Sequence, residues 1–294
     1  MSEMLKAGAG GKNKGIQVRL WVDRDWDTTE FKTFLSSIEE KTGDGDIIYD
    51  KRNRLVRLAA DPMFGIKRDI IVKRFNLIRK YDQLRYCFIR SKAVRSLETA
   101  RALEKAGVHT PRPVGLFEVR GRFGQIKTSN FITQFCAYDF SLMELVLSLR
   151  ECQGGEQLAL FRRLLPVLAG DIRKMHDAGI FHHDLHDGNV LVKETDPPVL
   201  YYIDLNRAQI QGTGLTLKQR AKDLARFNWG EDLQRVFVEE YMPTKVWELM
   251  GLLRKEREKR VRFVRFKRNL RKALGRSKRK NNQRRLDAGG TEAK

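Results

Sequence analysis

The chain has 294 residues, 41% of them hydrophobic, with 58 Lys and Arg against 37 Asp and Glu and a formal net charge of +21. That length and apolar content are enough to bury a real core, which excludes a disordered chain and suggests one large domain or two lobes of about 100 to 200 residues each. No apolar run approaches the roughly 20 residues needed to cross a bilayer, and Cys87, Cys136 and Cys152 lack metal-ligand spacing, so a reduced, cytosolic protein is expected. From Gly251 to Lys294 there are 18 Lys or Arg against four acids, so this last stretch carries +14 of the +21. Such an excess favours an anionic partner (nucleic acid, lipid headgroups or a phosphorylated substrate) over a merely solvated arm.

Residues 1–15 (MSEMLKAGAGGKNKG) have no apolar period and are expected to be disordered. IQVRLWV then alternates like a strand, and TTEFKTFLSSIEEKTG places Phe31, Phe34, Leu35 and Ile38 at helical spacing before Gly43 as C-cap. From Asp46 three short runs, IIYD, LVRLAA and DIIVKRF, predict a meander, with the turn-prone KRNR between the first two. A helix over RSKAVRSLETARALEKAG and two strands, PRPVGLFEVR and SNFITQFC, follow. Beyond Asp139 the pattern turns helical: FSLMELVLSLR, then EQLALFRRLLPVLAGDIRKMHDAG, a central buried helix that Pro166 should kink or break. A loop leads next into the strand NVLV, and a turn at DPP returns the chain in VLYYIDL.

That loop, HHDLHDGN, brings Asp184 and Asn189 five residues apart, and Asp204 ends the returning strand twenty residues after Asp184. Phosphoryl transfer from a nucleotide needs such a set: one carboxylate to orient and deprotonate the attacking hydroxyl, and hard oxygen ligands for magnesium. Asp184 is therefore the candidate catalytic base, with Asn189 and Asp204 as candidate Mg2+ ligands. Lys73, in the apolar strand IIVKRF, is the candidate cation for the phosphates, held by Glu98 on the next helix, with Glu104 as the alternative acid. His182 is expected to pack and hydrogen-bond within the loop, since the three histidines lack a further ligand set for zinc. Arg207 has two readings, a phosphate contact or a salt bridge to the catalytic loop.

IIVKRF, the helical Glu98, HHDLHDGN and YYIDLNRAQ come in the order and approximate spacing of the protein-kinase-like fold. IDLNRAQ with GVHTPRPVG resembles the lipopolysaccharide core kinase family of bacteria (Kdo/heptose kinases, WaaP and InaA type), over roughly Asp46 to Trp229. The resemblance implies an α+β, bilobal fold, with a small, mostly antiparallel N-lobe carrying one helix and a larger, mostly helical C-lobe. The corresponding division is 1–43 as an N-terminal extension, 44–136 as N-lobe, 137–250 as C-lobe and 251–294 as a basic helix and tail. It also implies ATP at a hinge over TQFCA, with Gln134 and Cys136 as nucleotide contacts, and transfer of the γ-phosphate to a sugar hydroxyl of a lipid A core acceptor.

Three departures bear on this. No G-x-G-x-x-G precedes Lys73, where the nearest hairpin, YDKRNRLV, is basic; Asn206 stands at the glycine of Asp-Phe-Gly; and His186 replaces the lysine of Ser/Thr protein kinases, favouring a glycan or small-molecule acceptor. A kinase of another small molecule or of a protein, and a pseudokinase or basic scaffold, remain as alternatives. In the tail, Phe263, Phe266, Leu270 and Ala273 share one helical face among Arg and Lys, which fits either an interfacial helix on an anionic membrane or a core-packed last helix. RNA is less favoured because no aromatic platform accompanies the charge. The expected location is cytoplasmic, peripheral on the inner face of the bacterial inner membrane.

Overall fold

The computed structural model describes residues 5–7, 15–43, 45–76, 86–151, 155–227 and 229–273. The disorder expected for the tail beyond 273 lies outside the described residues, as does that for 1–15 apart from residues 5–7 and 15. Residues 5–7 form a strand, β1 (Leu5–Ala7), paired with β2 (Gln17–Val22). The rest of the first lobe comprises α1 (Thr29–Ser36), α2 (Ile38–Lys41), β3 (Asp46–Asp50), β4 (Asn53–Leu58), β5 (Ile70–Phe75), α3 (Lys92–Lys105), β6 (Pro113–Arg120) and β7 (Ile126–Gln134). All seven strands join one antiparallel sheet in the order β1-β2-β6-β7-β5-β4-β3, so the expected meander is its β3-β4-β5 edge.

Both faces of this sheet are covered. Thr28 caps α1 by accepting from the Phe31 N–H, and the helix spacing then sets Phe31, Phe34 and Leu35 against Ile70, Val72, Val114 and Ile132. The opposite face receives Val94, Leu97 and Leu103 of α3. Because β2 pairs with β6 along its whole length and α1 fills one of the two cores, the boundary expected at residue 43 cuts through a single sheet. The first lobe consequently holds α1 and α2 as well as the expected helix, α3.

The second lobe contains β8 (Phe140–Ser141), α4 (Leu142–Glu151), α5 (Gly155–Asp177), β9 (Ile180–Phe181), β10 (Val190–Lys193), β11 (Val199–Tyr202), β12 (Gln209–Ile210), α6 (Leu217–Leu224), α7 (Glu231–Tyr241) and α8 (Val246–Ala273). Of the kink or break expected at Pro166, the break does not occur, since helix α5 runs on through the proline. The proline lies on its exposed side, where water can reach the Arg162 carbonyl that Pro166 leaves without an N–H donor. Helix α8 likewise crosses the boundary expected at residue 250. Leu249, Met250 and Leu253 are buried in the core, as the core-packed reading of the last helix expects, whereas residues 258–272 are exposed.

The lobes share apolar packing, since the cluster that includes Phe75, Leu97 and Phe131 continues into Leu164, Leu168 and Ile172 of α5. Two hydrogen bonds reinforce the junction: Tyr202 N–H to the His109 carbonyl at 3.0 Å and Thr110 Oγ1 to the Tyr202 carbonyl at 2.8 Å. Truncating Phe34, 1% exposed between α1 and the sheet, should cost about 3–5 kcal/mol. Urea unfolding of Phe34→Ala measures this, and a loss below about 1 kcal/mol would mean that residues 17–43 are not integral to the sheet.

Candidate active site

The loop after α5 is set by a tight turn at Gly179, whose φ of +72° puts the position of a Cβ within 2.4 Å of the Thr213 carbonyl oxygen. Strand β9 then pairs with β12 and delivers His182 and His183 to a buried carboxylate, Asp223 of α6. Asp223 accepts from both main-chain N–H groups, at 2.8 and 3.0 Å. His183 has a left-handed φ of 62°, a conformation costing on the order of 1–3 kcal/mol that those paired hydrogen bonds offset. The three histidines diverge. His182 is buried and its Nε2 lies 3.1 Å from the Ile203 carbonyl, His183 stacks on Phe181, and His186 Nδ1 accepts from the Gly188 N–H.

The β10–β11 hairpin brings the remaining acids together. Its register opposes Val190 and Tyr202, and the Ile203 N–H closes it on the Asn189 carbonyl, so Asn189 and Asp204 leave from the same end. Asn189 Nδ2 donates to the Asp184 carbonyl at 2.8 Å, which fixes the amide. Asp204 takes a left-handed φ of 60° at the start of a short 3-10 turn, Leu205–Arg207, and reaches Lys73 across the interlobe cleft at 2.5 Å. Alternation along β5 explains the lysine: Ile70 and Val72 point into the core under α1, leaving Lys73 and Phe75 on the other face. Burial pushes the Asp204 carboxyl up, but the Lys73 charge and hydrogen bond outweigh it and hold the group below the usual carboxylate range. One carboxylate and one oriented amide are hard oxygen donors, a set that suits Mg2+ rather than a softer metal.

Beside this group lies a cavity of about 230 Å³, walled by Ile71, Lys73, Phe131, Gln134, Cys136 and Asp204 and roofed by Ile48 and Leu55 of the basic β3–β4 hairpin. Segment 133–137 is tied to the first lobe: the Phe135 N–H donates to the Asp69 carbonyl, and the Arg57 guanidinium, paired with Asp69, sits 4.1 Å from the Phe135 ring centroid. Burial pushes the Cys136 thiol up to about 11, so it is neutral at physiological pH. The expected Lys73–Glu98 pair is not present. Glu98 pairs with Arg90 at 2.8 Å, and Lys73 has Asp204 instead. Helix geometry gives the reason. Ser96 is the α3 residue that lines the cavity, and two residues on, at about 100° each, Glu98 turns to the far side. Glu104 lines a separate cavity behind residues 133–137, with His109 and Arg112.

Asp184 is held by two arginines, Arg226 at 2.6 Å on Oδ1 and Arg207 at 3.3 Å on Oδ2. Of the two readings of Arg207, its contact is thus the salt bridge to the catalytic loop. Asp223 and Arg226 were not anticipated from sequence. A usable signal for Asp223 was an acid in RAKDLARF, among the buried Ala221, Leu224 and Ala225; nothing local marks Arg226.

The chain matches the family model described as Lipopolysaccharide kinase (Kdo/WaaP) family over residues 68–249. It resembles a solved structure, WaaP in complex with acyl carrier protein, with 24% identity and a TM-score of 0.59, covering 82% of this chain and 97% of that one. A structure of an Stt7 homolog from Micromonas algae soaked with ATP aligns over 56% of this chain and 49% of that one, with 14% identity and a TM-score of 0.40. A curated relative, a probable serine/threonine-protein kinase of Encephalitozoon cuniculi (strain GB-M1), is 30% identical over 118 residues, 38% of this chain. The chain spans only 22% of that relative's length.

Burial holds the His182 imidazole below its usual range despite the acids around it. The unfolded chain therefore takes up this proton first, near pH 6.5, and stability is lost as the pH falls from there towards the folded pKa. His182→Gln should flatten the dependence of urea-unfolding free energy on pH between about 7 and 5. An unchanged slope would show that His182 does not carry it.

Proposed function

We propose that this chain, which belongs to the lipopolysaccharide kinase (Kdo/WaaP) family and is a phosphotransferase, moves the γ-phosphate of ATP to a sugar hydroxyl of a lipopolysaccharide core or lipid A acceptor. The observation that carries the reading is the convergence of Lys73, Asp184, Asn189 and Asp204, from both lobes, at one cleft. ATP lies with its base against Gln134–Cys136 and its phosphates towards Lys73, which exchanges Asp204 for phosphate oxygens. Asp204 and Asn189 hold Mg2+, which when bound supplies positive charge against the charge spreading over the transferred group. Asp184 orients the acceptor hydroxyl. Its oxygen bonds to the γ-phosphorus, the bond to the bridging oxygen breaks with its electrons leaving on ADP, and the proton passes to Asp184.

The β3–β4 hairpin covers the nucleotide in place of a glycine-rich loop, Ile48 and Leu55 closing over the base while Lys51 and Arg52 lie at the turn. A glycolipid acceptor also accounts for the outer half of α8. Phe263, Phe266 and Leu270 are 55%, 62% and 46% exposed among basic residues, and such a face binds an anionic bilayer by apolar burial plus about 1 kcal/mol per cation near the surface. Among the described residues no helix is long and apolar enough to cross a membrane. The enzyme works from the cytoplasm, on the inner face of the inner membrane, where a lipid-linked glycan acceptor is presented.

Asp184→Ala should lower transfer of radiolabelled phosphate from ATP to deep-rough lipopolysaccharide by about 10²- to 10⁴-fold. Stabilisation by the magnesium nucleotide in a thermal-shift assay should remain. Transfer at the wild-type rate would remove Asp184 from the chemistry, and label appearing in protein instead of glycolipid would replace the acceptor.

A further inference from the structure

The exposed half of α8 carries two stripes. At 100° per residue, Arg257, Arg260, Val264 and Arg268 line one side, while Phe263, Phe266 and Leu270 lie on the other. The first stripe faces the end of α6, and between them runs a groove of about 530 Å³. Five arginines line it (Arg226, Arg257, Arg260, Arg265 and Arg268), and among the described residues no carboxylate does.

Like charges gathered along one wall repel and favour an anion between them, and the Asp184 carboxylate meets just Arg226 of the five. Two of the five are also partly withdrawn from water. Arg257 donates to the Phe227 carbonyl at 2.8 Å, and burial holds it and Arg226 below the usual guanidinium range despite the opposing pull of Asp184 and Asp223 on Arg226 and of Glu231 and Asp187 on Arg257. The groove is joined to the chemistry by Arg226 itself, whose Nη1 is 2.6 Å from Asp184 Oδ1. A group bound against Arg226 in the groove therefore lies one ion pair away from the carboxylate that receives the hydroxyl proton.

We propose that this groove binds the anionic substituents of the acceptor, phosphate ester or carboxylate, and that Arg226 passes from Asp184 to that anion as the acceptor docks. The proposal deepens the glycolipid reading above and rests on it for the identity of the acceptor. The ion-pair exchange has a consequence for specificity. In the unliganded chain both carboxylate oxygens of Asp184 are engaged by guanidinium groups; an acceptor bearing an anion draws Arg226 away and frees Oδ1 to meet the hydroxyl, whereas a neutral sugar leaves both oxygens engaged.

The test compares wild type with Arg260→Gln/Arg268→Gln and Arg260→Lys/Arg268→Lys in transfer to deep-rough lipopolysaccharide. The glutamine pair should raise the acceptor KM at least about tenfold, as expected for losing hydrogen bonds to charged groups, leave the KM for ATP in place, and be rescued by the lysine pair. Glycolipid stripped of phosphate by hydrofluoric acid, and glycolipid with reduced carboxyls, locate the anion: the one that wild type and the glutamine pair use equally poorly has lost the group the groove reads. Equal acceptor KM values for wild type and the glutamine pair, or full sensitivity to the substitutions with both stripped acceptors, would overturn the proposal. Titration calorimetry with inorganic pyrophosphate, the nucleotide cleft filled by a non-hydrolysable ATP analogue and magnesium, separates this from the acceptor's identity. Saturable binding weakened about tenfold in the glutamine pair supports the groove even if no glycolipid is phosphorylated. Undetectable or unaltered binding counts against it even if glycolipid is.

Discussion

The carboxylate of Asp223, fully buried beneath the loop after β9, accepts from the main chain of two consecutive residues, and the placement of Asp184 follows from that grip. A buried acid with no partners would be strongly unfavourable, and two N–H donors in sequence also stabilise the left-handed turn at His183. The grip is braced from behind. Asp177 pairs with Arg220, Arg220 and His176 both meet the Tyr241 hydroxyl, and His176 Nε2 lies 3.5 Å from Asp223. Burial pushes the Tyr241 phenol to about 12, so it stays neutral and can donate to His176 while accepting from Arg220. The C-terminal helices thereby fix a loop some forty residues earlier in the chain.

The hairpin that follows transmits this order to the other lobe. His182 reaches the Ile203 carbonyl, the Ile203 N–H reaches Asn189, and Asp204 projects from the next position to Lys73 on β5. Apart from Lys73, each link uses main-chain groups or short side chains, which lose little conformational entropy on ordering. The floor of the cleft between the lobes is held by these links, while its roof, the β3–β4 hairpin, sits at the edge of the sheet with β3 exposed along its length.

Charge is distributed with the same division of labour. Lys73 meets Asp204 in the cleft between the lobes, while Arg207 and Arg226 hold the two oxygens of Asp184 and Arg226 continues into the arginine groove beside α8. Part of the formal excess of +21 is thus concentrated in the cleft and the groove, where it favours anionic ligands. The aromatic stripe on the far side of α8 leaves the arginines free to face the groove, because a helix separates residues three and four apart from those two apart.

Local spacing alone determined much of this protein. Alternation placed Lys73 on a strand, and the hairpin turn between NVLV and VLYYIDL brought Asn189 and Asp204 to the same end. These features were legible because each depends on hydrogen bonds or periodicities within about twenty residues. Residues 17–43 looked like an extension because nothing in them shows that β2 will pair with β6 nearly a hundred residues later. Glu98 was misassigned as the partner of Lys73 because the rotation of α3 is set by what it packs against, and a two-residue difference reverses the face. Asp223, Arg226 and the arginine groove were decided only by tertiary structure: a carboxylate's role depends on which N–H groups are brought to it, and a cation's on which charges surround it, and folding alone settles both.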